Sequence, residues 1–147
     1  MRTRFIAATL FTFTLVGAAH AVDNSASAGK PDLAAARASI DSKNYPAAIA
    51  LLTPMITQYQ DPDVFNLLGF SYRKSGDLKQ AATFYSKALD FDPAFKPAIE
   101  YQGELFLQMN DPDKAKANLA KLAQLCPSGC EEKDDLEKAI AAYTLTN

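Results

Sequence analysis

Apolar positions recur three, four and seven residues apart through most of this chain, the period of an amphipathic helix, and no stretch alternates as a strand would. Leu33, Ala36 and Ile40 share one face of a first helix between Pro31 and Ser42, with Pro31 suited to the first helical position. Asn44 and Tyr45 read as a turn. A second helix opens near Pro46 and carries Ile49, Leu52, Ile56 and Tyr59 on one stripe. Pro54 falls inside that stripe, where its ring clashes with the Ala50 carbonyl, so a kink or an early end is expected. Asp61-Pro62 pairs an N-cap with a first-position proline and opens a third helix running to about Ser75. Gly76 supplies a left-handed C-terminal cap.

Asp77 caps the fourth helix, with Gln80 at capping-box spacing. That helix carries Leu78, Ala81, Ala82, Tyr85, Ala88 and Leu89 and stops before Pro93. A fifth runs from near Pro97 to Asn110, a residue that tolerates the left-handed cap, and a sixth from Asp111-Pro112 to Cys126-Pro127. Ser128 and Glu131 have capping-box spacing ahead of a last helix, roughly Cys130 to Tyr143, with Leu136, Ile140 and Tyr143 on one side. Seven helices and short turns predict an all-α domain.

The N-terminus changes this picture by subtraction. Arg2 and Arg4 precede an apolar run from Phe5 to Val16, and Ala19-His20-Ala21 has the small-x-small form of a cleavage site, the layout of a secretory signal peptide over residues 1–21. The run is shorter than the ~20 apolar residues of a membrane span, and no cysteine follows it for a lipid anchor. Cleavage leaves no membrane insertion and directs the chain to the periplasm or outside the cell. Residues 22–30 are small and polar and read as a flexible leader. With the signal peptide go two arginines and no acid, so net charge moves from −2 to −4. That balance disfavours nucleic-acid binding, which needs a basic face. The single histidine, His20, goes too, so no imidazole remains for acid–base catalysis or metal ligation. Nothing resembles a nucleophile motif, and the sequence implies no enzyme activity, no cofactor and no metal.

The stretch Phe65 to Pro93 repeats its spacing in the stretch that follows. Leu68 aligns with Gln102, Gly69 with Gly103, Tyr72 with Phe106, Ala81 with Ala115, Tyr85 with Leu119, Ala88 with Leu122 and Pro93 with Pro127, all at one constant interval. Small residues fall where two helices touch, and large apolar ones fill the space between pairs. Phe65, Leu68, Gly69, Tyr72, Ala81, Tyr85, Ala88 and Pro93 resemble, in order, the signature of the tetratricopeptide repeat. The resemblance implies a right-handed superhelical solenoid of about three helix pairs (about 31–60, 62–95 and 96–129) closed by a capping helix at 130–144, within a domain at 31–145. The segment from Leu68 onward also looks like a group of small exported tetratricopeptide proteins of Gram-negative bacteria.

In that family the first helix of each pair lines a concave groove that holds peptide segments. The positions so placed include Arg37, Asp63, Asn66, Phe70, Arg73, Lys74, Tyr101, Glu104 and Gln108. Aromatics and arginine suit peptide contacts. One subset of the family clamps a partner's terminal carboxylate, but Leu67 stands where that clamp has its asparagine. The expectation is a non-enzymatic adaptor for a protein or peptide. A second expectation rests on Cys126 and Cys130: a disulfide between neighbouring helices, or a thiol-redox or soft-metal site. The acidic run Glu131, Glu132, Asp134 and Asp135 falls in a first helical turn, where it suits the helix dipole.

Overall fold

The structure is a computed structural model that describes residues 29–146; residues 1–28, which hold the expected signal peptide and most of the expected leader, and Asn147 lie outside the described residues. The elements are α1 (Ala34–Asp41), α2 (Tyr45–Leu52), a 3-10 turn (Thr53–Thr57), α3 (Pro62–Lys74), α4 (Leu78–Phe91), α5 (Lys96–Gln108), α6 (Pro112–Leu125) and α7 (Glu131–Thr146). There is no strand among the described residues.

Local chemistry accounts for the helix ends. Asp61 accepts from the Asp63 amide, Asp77 from Gln80 and Asp111 from Lys114, each opening a helix. Gly76 (φ 89°) and Asn110 (φ 61°) take the left-handed conformation that ends α3 and α5. Pro54 stops α2 at Leu52 and tips the chain into the 3-10 turn.

Three expectations are corrected. The first helix starts at Ala34, past Pro31, because the Asp32 carboxylate accepts from the Ala34 amide two residues on and makes a turn of its own. Tyr45 is helical, not part of a turn: Lys43 takes the positive φ (58°) and Asn44 caps the Ala47 amide. Ser128 is not the cap of α7. Gly129 turns the chain at φ 95°, and the helix starts at Glu131, so Ser128 lies too early.

The helices pair as α1–α2, α3–α4 and α5–α6, and each second helix packs on the next first helix. The first helices also touch in series, α1 to α3, α3 to α5 and α5 to α7, which makes them one continuous wall. This is an all-α solenoid of helix pairs, the architecture that the tetratricopeptide resemblance implies. Glycine sets the closeness of two of its contacts. A Cβ on Gly69 would lie 2.6 Å from the Tyr85 ring, and one on Gly103 would lie 2.6 Å from Leu136. In the third pair Leu119 replaces Tyr85, and Leu136 of α7 reaches over Gly103 instead. Leu136 follows Gln102 by the same interval that separates Gln102 from Leu68, so α7 occupies the register of a further first helix. It is fully buried with Ile99 and Leu122; burying a leucine contributes about 2 kcal/mol. Val64, Phe65, Leu67 and Leu68 of α3 close on Leu33, Ala36 and Leu52 of the first pair, and on Ala88 and Ala98.

Candidate functional site: the wall of first helices

Phe70 is the hub of this wall. Its ring lies 5.1 Å from that of Tyr101 on α5 and 6.4 Å from that of Tyr45 on α2. The Arg73 guanidinium sits 5.5 Å from the Phe70 ring and 5.7 Å from Tyr101, and Lys74 places its ammonium 5.3 Å from Phe70. Both rings stay half-buried, with a face toward solvent.

Arg73 is fixed from three sides. Its Nε donates to the Tyr85 hydroxyl at 3.3 Å, and one terminal nitrogen meets Glu104 at 2.5 Å. The second contact is an ion pair without hydrogen-bond alignment. The arginine side chain is 1% exposed and that of Glu104 27%, so the pair ties α4, α3 and α5 together at the back of the aromatic wall. Burial pushes the Tyr85 phenol well above its ordinary range despite the adjacent Arg73, which leaves it a neutral acceptor. Burial, then the charges of Glu100 and Glu104, also raise Tyr101.

The candidates expected from sequence divide accordingly. Phe70, Arg73, Lys74, Tyr101 and Glu104 come together as one cluster. Lys74 and Gln108 are exposed and share a cleft of about 410 Å3 with Arg73, Glu104, Leu107, Ala139 and Tyr143. Phe70 and Tyr101 also line a second cleft, about 300 Å3, with Arg37, Ile40, Asp41 and Leu67. Arg37 and Asp63 form an exposed ion pair at 3.3 Å. Asn66 is 2% exposed, and its Oδ1 has no hydrogen-bond partner among the described residues, so it is part of the interior rather than the groove surface. A larger hollow, about 600 Å3, lies apart from this wall, between residues 29–31 and 56–62.

Glu100 was missed from the sequence. It aligns with Asn66 at the same interval that aligns Gly103 with Gly69, one first helix on, and that alignment would have found it. It is 7% exposed and makes no hydrogen bond or ion pair among the described residues. Burial, then the charges of Glu104 on α5 and Asp135 and Glu132 on α7, push its carboxyl up to about 8; Arg73 opposes this. Asp135 repeats the register of Tyr101. The acidic first turn of α7 therefore faces this end of the wall as well as serving the helix dipole.

Cys126 ends α6, Cys130 precedes α7, and the two are joined as a disulfide with Cα atoms 6.0 Å apart. No cluster of three or more metal-ligating side chains occurs among the described residues, and no helix among them is long and apolar enough to cross a membrane.

Family comparison agrees with this geometry. Two family models described as Tetratricopeptide repeat match residues 62–95 and 98–129, the pairs α3–α4 and α5–α6. No curated protein matches the chain. A glycine-seated helix pair, a second copy directly after it and a continuous wall of first helices are what these two matches describe: the chain carries two tetratricopeptide repeats, at residues 62–95 and 98–129.

Proposed function

We propose that this chain is an exported, periplasmic adaptor that holds a peptide segment of a partner protein against its wall of first helices and catalyses no reaction. Tetratricopeptide repeats suggest protein partners in general. The observation that supports this particular surface is the braced aromatic pair. Phe70 and Tyr101 keep half-exposed rings at the groove while Arg73, held by Tyr85 and Glu104, stiffens them from behind. Aromatic rings ordered before binding lose little conformational freedom when a partner docks. Two clefts flank them and give side chains of the partner somewhere to go. Export rests on the N-terminal sequence pattern, and the lack of catalytic chemistry on the loss of His20 with the signal peptide. The disulfide fits as a staple between α6 and α7; a thiol-redox role would require it to open reversibly.

The test has two arms. Cell fractionation with mass determination should find a periplasmic chain that begins at Val22; retention in the cytosol at full length overturns the export reading. Partners captured from a periplasmic extract should be lost on Phe70→Ala combined with Lys74→Ala, in protein whose circular dichroism is unchanged. A variant that keeps every partner overturns the groove reading. Arg73 is not a suitable control, because its removal disturbs the core.

A further inference from the structure

The wall has two ends of different chemistry. Toward α5 and α7 it gathers carboxylates: Glu100 and Glu104 on α5, Glu132 and Asp135 on α7, with the last three all raising the charge pressure on Glu100. Arg73 is a cation whose charge opposes the rise at Glu100, and that guanidinium is already committed to Glu104, Tyr85 and two aromatic faces. Lys138 pairs with Asp135 at 2.9 Å on a largely exposed side chain, and Lys133 turns to Asp134 and Glu137.

Glu100 departs from an ordinary acidic surface. A buried carboxylate is normally paired or hydrogen-bonded, yet Glu100 is more than nine-tenths buried and has no partner among the described residues. One helix back, at the same register, the Oδ1 of Asn66 is likewise an acceptor without a donor among those residues. Of these two acceptors Asn66 is interior and neutral, whereas Glu100 carries a carboxyl whose missing counterpart is a positively charged donor. The half-exposed rings of Phe70 and Tyr101 adjoin this end, and aromatic faces also attract cations.

We propose that the α5–α7 end of the groove seats a lysine or arginine side chain of the bound segment, with Glu100, Glu104, Glu132 and Asp135 as its acceptors and Tyr101 as its wall. This rests on the groove reading above and names the partner chemistry: a basic segment. The free site keeps a proton on Glu100 near neutral pH, and seating a cation there releases it. Binding therefore tightens as pH rises.

A peptide library displayed on phage, selected on the intact oxidised protein, tests this. The selected peptides should be enriched in lysine or arginine, and a synthetic copy of the best one should bind at least about tenfold more weakly to Glu100→Gln. Asp135→Asn, at a half-buried position of α7, should weaken it in the same direction and guards against a fold effect of the first variant. Affinity for the wild type should rise about tenfold or more from pH 6 to pH 8.5, and this rise should vanish in Glu100→Gln. Selected peptides that are lost on Phe70→Ala but carry no basic residue, or that ignore both acidic substitutions, overturn the cation seat and leave the groove reading standing. Peptides indifferent to Phe70→Ala, or no selected peptide at all, overturn both.

Discussion

Glu100 offers the most direct measurement of the wall's electrostatics. Its carboxyl is held at about 8, against an ordinary value of 4.5, chiefly by burial and then by Glu104, Asp135 and Glu132, with Arg73 opposing. The folded state thus binds this proton more tightly than the unfolded chain. The stability it supports is fully present below the unfolded value and is lost as pH rises through the folded one. At about 1.4 kcal/mol per pH unit, integration from pH 5 to pH 9 gives a loss of about 4 kcal/mol as a ceiling, with relaxation and water entry reducing it to about 2–4 kcal/mol. Glu100→Gln keeps the shape of the protonated acid and cannot ionise. The variant and wild type should therefore match near pH 5, and the variant should be the more stable by that margin at pH 9. Urea unfolding followed by circular dichroism at unit steps of pH reads the difference directly. With both cysteines in a disulfide, no thiol among the described residues titrates in this window. Parallel pH curves for the two proteins, or a variant less stable at pH 9, would refute the account.

Four further outcomes follow from the packing. Gly69→Ala puts a methyl 2.6 Å from the Tyr85 ring, and denaturant melts should show a loss of about 1–3 kcal/mol as that buried ring is forced aside. Arg73→Ala removes the link between Tyr85 and Glu104 together with two aromatic contacts; calorimetry should find about 2–4 kcal/mol lost, and Arg73→Lys should recover less than half, since a lysine cannot meet both partners. Leu136→Ala opens a cavity over Gly103 and should cost about 2–4 kcal/mol, with amide exchange rising first along α7. Replacing Cys126 and Cys130 by serine opens only a short loop, so the chain-entropy loss should not exceed about 2 kcal/mol, and peptide binding at Phe70 should survive. Loss of binding with the fold intact would instead favour a thiol role.

Much of the architecture was legible in the residues themselves. Helix positions followed from apolar period, and helix ends from Asp61, Asp77, Asp111, Gly76 and Asn110, because caps act on the backbone within a turn of their own position. The recurrence of Gly69 as Gly103, one repeat later, announced the stacking, since only a missing side chain lets helices approach so closely. Errors came where two local signals competed. Asp32 overrode Pro31 at the start of α1, and Gly129 displaced the expected cap at Ser128.

The wall itself was decided between helices, where periodicity has nothing to say. Sequence placed Asn66 and Arg73 on the groove alongside Lys74; packing sank the first two and left the third exposed, because side chains on one face differ in depth once a neighbouring helix arrives. Tertiary contact alone gave Arg73 its place behind Phe70 and Tyr101, and turned Glu100 from one acid among seventeen into a buried carboxyl crowded by α7. The residues dictate a repeat because a repeat is local spacing. The charge state and reach of its groove depend on distances between segments that only the folded chain brings together.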